Sequence, residues 1–217
     1  HFMRMSLVTL TAMALLLSGC FGSTGGQSEP SYYDIPGNSA ANAGPAGASV
    51  KPGLMWHIAS VQAPGWLMTP AMNYRLAYAD ASQRLSYAES RWVAPPAELL
   101  EMALKRGNIL SIPGDVHIAT DGCQLLVNLD EFIQVFDAPD SSRALLETRV
   151  TLLAPRDHRL LAQRAFTQAP SAGADARSGV AGFAVAMHEL NAELNAWLVQ
   201  LEHDSPALIG RCNAAGS

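Results

Sequence analysis

A short apolar segment near the N-terminus determines in which compartment this chain must fold. Arg4 supplies a positive charge ahead of it, and the apolar stretch at residues 6–17 is too short to span a bilayer. Small residues at positions 18 and 19 end the segment. This order of charge, short apolar core and small residues is typical of a secretory signal peptide. The sequence therefore predicts export across a membrane, with residues 1–19 removed as the signal peptide.

The residue after that segment is Cys20, and the sequence LSGC at residues 17–20 looks like a bacterial lipobox. In a lipobox the cysteine thiol receives a diacylglyceryl group, the chain is cut before the cysteine, and the new amine is acylated. The alternative is an ordinary signal peptide that happens to precede a cysteine. Residues 21–29 are rich in Gly and Ser, which is typical of a flexible tether and favours the lipoprotein. We predict lipidation of Cys20, and residues 20–50 as the lipidated cysteine with a flexible Gly-, Ala- and Ser-rich tether.

The charge of the chain limits the partners that it can bind. Its formal net charge is −5, and the sequence contains no run of basic residues. Proteins that bind nucleic acids present basic patches, so we predict no nucleic-acid partner. The sequence also offers no basic run for electrostatic docking to anionic lipid, so we expect membrane attachment through the lipid anchor. Apart from the covalent diacylglyceryl and N-acyl lipid on Cys20, we expect no cofactor.

Two further cysteines, Cys123 and Cys212, remain in the exported part of the chain. In an oxidising compartment two such cysteines most simply form one disulfide. Closing a loop of this length stabilises the folded state by about 4 kcal/mol in the chain-entropy model. Two buried free thiols are the alternative. A metal site is disfavoured because neither cysteine has a Cys or His at the spacing of metal ligands.

The pattern of apolar residues and turns predicts strands, a helix, more strands and a second helix. Period-two alternation indicates strands, whereas a start at Pro95 and an apolar stripe after Asp175 indicate helices. The predicted strands cover residues 56–61, 74–78, 85–92, 109–118, 124–136, 143–154 and 159–168. Residues 32–36 form a short segment that we expect at an edge of the sheet. We predict an α+β fold with a single domain over residues 51–217, in which two helices cover a mainly antiparallel sheet.

Two segments carry the strongest patterns. In the strand at 124–136, alternation predicts one apolar face made of Leu125, Val127, Leu129, Ile133 and Val135. Phe132 and Phe136 then lie on the opposite face, which indicates a central strand that is covered on both sides. In the last helix, steps of three and four predict one buried stripe made of Phe183, Met187, Leu190, Leu194, Trp197 and Leu201.

The sequence lacks the motifs of the common catalytic mechanisms. It contains no Gly-x-Ser-x-Gly nucleophile motif and no Gly-rich loop that would cradle a phosphate. His188-Glu189 begins like the zinc-protease helix motif, but residue 192 is Ala where the second His is required. Glu131 and Asp137 would lie about 20 Å apart along their strand, which is too far for glycosidase-type catalysis. We predict no catalytic residue, no metal site and no enzyme activity.

One apolar loop tip has no strand pattern. Trp66, Leu67 and Met68 lie together between two prolines, Pro64 and Pro70. Aromatic residues in such places belong more often to a core or a partner interface than to a ligand pocket. Contiguous apolar surface marks interaction sites. We therefore predict that Trp66, Leu67 and Met68 form a partner-docking site.

Several short segments are more specific in combination than alone. The most telling is LDEFIQVFD at residues 129–137, a strand that contains Glu-Phe-x-Gln-x-Phe. The others are the lipobox at Cys20, Tyr32-Tyr33, Tyr74-Arg75, Tyr87-Ala88, Arg91-Trp92, Arg164-Ala165-Phe166 and Trp197-Leu198. Together they resemble the ABC-type transport auxiliary lipoprotein family, including its paraquat-inducible C type. The Ala- and Gly-rich insertion at residues 38–49 departs from the pattern of that family.

The resemblance implies a non-catalytic periplasmic subunit of a lipid transport system. Its partners would be a mammalian-cell-entry (MCE) type substrate-binding protein, a permease and an ATPase that together move lipids across the envelope. The domain would dock on the MCE-type protein or on copies of itself, and so support membrane integrity. Phe21 follows Cys20 where an Asp would signal inner-membrane retention. We therefore expect attachment to the periplasmic face of the outer membrane.

Two other functions fit the sequence less well. A free-standing periplasmic carrier of lipid or another hydrophobic ligand could use a pocket between sheet and helices. A secreted hydrolase could assemble its site from scattered residues, but the missing nucleophile motifs weigh against it.

Overall fold

The computed structural model describes residues 29–36, 56–107 and 122–213. The signal peptide, Cys20, most of the predicted tether and the predicted strand at 109–118 lie outside these residues. The strands are β1 (Ser31–Tyr33), β2 (Trp56–Gln62), β3 (Ala71–Leu76), β4 (Leu85–Trp92), β5 (Cys123–Ala138), β6 (Ser141–Leu153), β7 (Leu160–Gln168) and β8 (Ser171–Ala172). The helices are α1 (Pro96–Gly107), α2 (Ala176–Asp204) and α3 (Ala207–Asn213).

All eight strands belong to one sheet, which is built around the long hairpin of β5 and β6. The strand order is β1-β4-β3-β5-β6-β7, and β2 and β8 pair with β5 and β6 respectively. Strands β2 and β3 follow one another along the same edge of β5, and both run parallel to it. Strands β7 and β8 share the outer edge of β6 and are antiparallel to it.

The sheet is therefore mixed, with antiparallel pairs in the majority. The hairpins predicted for β3–β4 and β6–β7 are antiparallel, as is β5–β6. The parallel pairs are β1–β4, β2–β5 and β3–β5. Strands β2 and β3 both run parallel to β5, because the loop at 63–70 joins them without reversing the direction of the chain. The predicted α+β fold with two covering helices is confirmed, and the chain adds a third, short helix.

A bulge changes the predicted faces of β5. The register shifts between Leu129 and Glu131, so the alternation of side chains changes phase at Asp130. Phe132 consequently joins Leu129 in the core that faces the helices. Ile133 pairs with Leu145 on the other face, so the prediction that Ile133 and Val135 share a face with Leu129 is wrong. Both faces of β5 are buried in this half, as predicted for a central strand.

Helix α2 covers the sheet with the predicted stripe. Asp175 caps its N-terminus, and the Asp175 carboxylate accepts a hydrogen bond of 2.7 Å from the backbone N–H of Ser178. This hydrogen bond holds the pKa of Asp175 below its usual value. In the core, the ring of Phe183 stacks on Phe132 with centroids 3.9 Å apart, and Trp92 meets both rings edge-on. Helix α1 packs beside β2 and α2.

The folded region begins earlier than predicted. Strand β1 pairs with β4 from Ser31 to Tyr33, and Ile35 is buried in the core. The predicted tether over residues 20–50 is therefore too long, because this short apolar segment recovers buried surface by joining the sheet. Its place at the edge of the sheet agrees with the expectation for residues 32–36.

Candidate functional site

The strand segment at 131–136 places Glu131 between two arginines on the face of the sheet away from the helices. Glu131 accepts hydrogen bonds from Arg75 at 3.1 Å and from Arg84 at 2.7 Å. Arg75 lies in the neighbouring strand β3 and Arg84 lies immediately before β4, so Glu131 links three segments. Two guanidinium groups share one carboxylate, which offsets the repulsion between them. This carboxylate therefore has a structural role.

Gln134, in the same segment, lies on the helix-facing side and connects the sheet to the start of α2. Its Oε1 accepts a hydrogen bond of 2.9 Å from the Tyr87 hydroxyl, and its Nε2 donates to Ser142 Oγ and to the Gly173 carbonyl. Burial raises the pKa of Tyr87 to about 12, so this hydroxyl is protonated and donates across the neutral pH range. Such a satisfied network fixes the register of the elements that it joins.

Gly179 on α2 gives Gln134 the space that it occupies. A Cβ atom at residue 179 would lie 2.3 Å from Gln134 Oε1, far inside van der Waals contact. We predict that Gly179→Ala lowers the free energy of unfolding by about 1–3 kcal/mol, the usual cost of overpacking. Gly210→Ala is the matched control in a helix, because nothing lies within 4 Å of a Cβ there. Urea unfolding curves of the wild type and both variants measure the effect. A Gly179→Ala variant that is as stable as the wild type would contradict this account of Gly179.

The predicted docking loop forms a 3₁₀ turn at Gly65–Leu67, which separates its apolar side chains. Trp66 and Met68 are 55% and 51% exposed, whereas Leu67 is fully buried in the core. Leu67 therefore anchors the loop and cannot contact a partner directly, contrary to the prediction for this residue. The ring of Trp66 lies over the Arg84 guanidinium, 5.9 Å from the ring centroid. The exposed apolar surface of this loop consists of Trp66 and Met68.

The two cysteines of the folded part meet at one end of the sheet. Cys123 and Cys212 form a disulfide with a Cα–Cα distance of 4.8 Å, and both residues are fully buried. Cys212 lies in α3, a helix that the sequence pattern did not predict. The disulfide therefore holds α3 against the start of β5.

The part of the chain that the structure describes has neither the features of a metal site nor those of a membrane span. Within 29–36, 56–107 and 122–213, no group of three or more His, Cys, Asp or Glu side chains is placed to hold a metal ion. No helix in these ranges is both long enough and apolar enough to cross a membrane. His188, the residue that began the incomplete zinc-protease motif, is exposed on α2.

A family comparison decides what kind of protein this fold represents. The model of the ABC-type transport auxiliary lipoprotein component family matches residues 33–195, well over half of the 217-residue chain. The chain belongs to this family. No curated protein matches the sequence significantly.

Two solved structures share the fold of this family member. The crystal structure of protein XCC0632 from Xanthomonas campestris, described as DUF330, has a TM-score of 0.62 at 19% identity. The similarity covers 81% of this chain and 99% of the other. The crystal structure of an uncharacterized protein has a TM-score of 0.51 at 15% identity, covering 79% and 97% of the two chains. At these identities the comparisons establish the fold alone.

The residues that carry the family resemblance hold the fold together. Glu131, Phe132 and Gln134 each bond or stack with a different element, as described above. The residue pattern identified this segment but did not predict its partners Tyr87 and Arg84. Each partner lies 47 positions before the residue that it contacts, so no local spacing connects them. The family match covers residues 33–195 and therefore includes neither Cys20 nor Cys212.

Proposed function

We propose that this auxiliary lipoprotein is a non-catalytic subunit of an MCE-associated lipid transport system. The match of residues 33–195 to the auxiliary component family carries the proposal. The subunit is anchored by the lipid on Cys20, docks on the periplasmic MCE-type protein, and supports the integrity of the envelope. ATP hydrolysis and the passage of lipid through the inner membrane belong to the ATPase and permease of the same system.

The residues next to the lipidated cysteine support an outer-membrane location. Phe21 stands where an Asp would retain a lipoprotein in the inner membrane. Two or three acyl chains on Cys20 anchor a domain stably, because each buried methylene contributes about 0.8 kcal/mol. This position leaves the folded domain in the periplasm, where an MCE-type protein can reach it.

The polar residues of the strand segment at 131–136 support a role without catalysis. Glu131 is bound by two arginines, and Gln134 is bound by Tyr87 and Ser142. The hydrogen bonds of both side chains therefore join elements of the fold to one another. A docking subunit requires a stable shape and an exposed contact surface, and the fold supplies both.

The docking surface that we propose consists of Trp66 and Met68. Both side chains are about half exposed on a loop whose position is fixed by buried Leu67. Large exposed aromatic residues next to an arginine are the composition typical of interface hot spots. Arg84 lies directly beneath Trp66 and is itself held by Glu131. The loop therefore presents a rigid apolar contact with a positive charge under it.

We predict that the double variant Trp66→Ser, Met68→Ser reduces recovery of the partner protein about tenfold or more in affinity purification from membranes. The expected loss follows from removing the exposed contacts while leaving Leu67 and the core intact. Val185→Ser on α2 is the matched control, since it removes exposed apolar surface from the helix side of the sheet. Undiminished recovery by a stably folded double variant would refute docking through this loop.

A further inference from the structure

A basic pocket lies at the end of the sheet where β6 turns into β7. The pocket has a volume of about 200 Å³, and α3 supplies one of its walls. It is lined by Ala154, Pro155, Arg156, Asp157, Arg159 and Arg211. Three of these six residues are arginines, in a chain with only 14 basic residues and a net charge of −5. The lining of the pocket is therefore basic, although the chain as a whole is acidic.

The turn between β6 and β7 has a defined shape. The backbone N–H of Ala154 donates to the Arg159 carbonyl at 2.9 Å, which closes the turn. Asp157 Oδ1 accepts a hydrogen bond of 3.1 Å from the backbone N–H of Arg159. His158 has a φ of 51°, in the left-handed region that residues other than glycine rarely adopt. Such a conformation costs free energy and is often found at functional sites.

The disulfide brings the third arginine to this turn. Gln124 pairs with Leu153, so Cys123 lies beside Ala154 at the end of the sheet. Cys212 is bonded to Cys123, and Arg211 precedes it in α3. The disulfide therefore fixes Arg211 next to two residues that lie more than fifty positions earlier in the sequence. The basic pocket is thus assembled from two distant parts of the chain that the fold brings together.

The three arginines have no acidic partner in the part of the chain that the structure describes. Arg75, Arg84, Arg143 and Arg149 each contact a carboxylate within 4 Å, whereas Arg156, Arg159 and Arg211 do not. Asp157 also lines the pocket, and one of its carboxylate oxygens is hydrogen-bonded to the backbone. The lining thus carries three positive charges and one negative charge, a net excess of two.

We propose that this pocket binds a phosphate group, as carried by a phospholipid headgroup or by free phosphate. Guanidinium groups donate paired hydrogen bonds that match phosphate oxygens, and three of them can serve one phosphate from several sides. A phosphate monoester, such as the headgroup of phosphatidic acid, carries about two negative charges at neutral pH, which matches the excess of the lining better than the single charge of a phosphodiester. This inference rests on the pocket alone, so it stands or fails independently of the transport-subunit proposal.

The surroundings of the pocket suit an amphiphile. Leu160 follows Arg159 at the start of β7 and is 57% exposed. An exposed apolar side chain beside a phosphate site can contact the glycerol and acyl groups of a lipid. A lipid phosphate is therefore expected to bind more tightly than inorganic phosphate, and the two sources can be separated by experiment.

The test uses the full-length lipoprotein, isotopically labelled and held in a neutral detergent. Inorganic phosphate is titrated at low ionic strength while NMR follows the backbone amides of residues 154, 156–160 and 211–212. We expect saturable shifts confined to these residues. Arg211→Gln should weaken binding about three- to tenfold, the range for charged hydrogen bonds at an exposed site. Arg106→Gln, which removes an exposed arginine at the end of α1, should leave the affinity unchanged.

A second titration identifies the source of the phosphate. Short-chain dihexanoyl phosphatidic acid is compared with dihexanoyl phosphatidylcholine and with inorganic phosphate. Tighter binding of the phosphatidic acid, with added shifts at Leu160, assigns the site to lipid headgroups, whereas equal affinity assigns it to free phosphate. Either result supports the phosphate site. Shifts that do not saturate, that spread over all surface arginines, or that persist unchanged in Arg211→Gln would overturn it.

Discussion

Replacing Cys123 and Cys212 with alanine is expected to lower the free energy of unfolding by about 4–5 kcal/mol. The disulfide closes a loop with a sequence separation of 89 residues, so its removal restores much conformational entropy to the unfolded chain. Domains of this size are stable by only about 5–15 kcal/mol, so the loss is a large part of the total. Chemical unfolding in urea under oxidising conditions measures it directly.

Reduction provides the control for this prediction. In the presence of a reductant, the wild-type chain should unfold at nearly the same urea concentration as the double variant. The variant itself should not respond to the reductant. Equal stabilities of the oxidised wild type and the variant would show that the bond between β5 and α3 does not constrain the folded domain as described.

The second large effect is expected at the membrane anchor. Cys20→Ser removes the thiol that we propose as the acceptor of the diacylglyceryl group, so the chain should carry no lipid. At about 0.8 kcal/mol for each buried methylene, loss of all acyl chains removes the whole free energy of anchoring. Essentially all of the protein should then leave the outer-membrane fraction. Cell fractionation and the mass of the N-terminal peptide report the two changes.

Ser18→Ala is the matched control for the anchor. It keeps a small residue in the lipobox and leaves Cys20 in place. Lipidation and outer-membrane location should therefore be unchanged in this variant. An outer-membrane fraction that still contains most of the Cys20→Ser protein would contradict anchoring through this cysteine.

Local patterns predicted most elements of this fold because each pattern reports burial on one face. The stripe from Phe183 to Leu201 predicted how α2 packs, and its members are buried or partly buried as expected. Leu146, Val150 and Leu152 alternate with polar residues along β6, and all three lie in the core. These segments follow a single period without interruption, so the sequence alone was sufficient.

The features that the sequence did not predict break a period or depend on distant residues. The bulge at Asp130 inserts one residue into a strand that is apolar on both faces, so alternation could not reveal the change of phase. Leu67 belongs to a short turn without any period, and its burial depends on the surrounding strands. α3 has only seven residues, too few for a helical pattern. Its position depends on the disulfide.

The candidate sites also contain some features that a local pattern predicts and others that depend on distant residues. The Glu-Phe-x-Gln-x-Phe segment could be identified from residues 131–136, but the roles of Glu131 and Gln134 emerged only with Arg84 and Tyr87 in place. The basic pocket joins Arg156 to Arg211, which no local pattern connects. Local spacing therefore predicts residues that are close in the sequence. It does not predict contacts between residues that the topology brings together from distant positions.

We propose above all that this lipoprotein works as a subunit of an MCE-associated transport system. The most direct test is affinity purification of the full-length, lipidated protein from its own membranes, followed by identification of the proteins that accompany it. The account predicts recovery of an MCE-type protein together with its permease, at levels well above those obtained with the Trp66→Ser, Met68→Ser variant. Recovery of the lipoprotein alone, carrying one bound lipid per chain, would contradict the claim and identify a free-standing carrier.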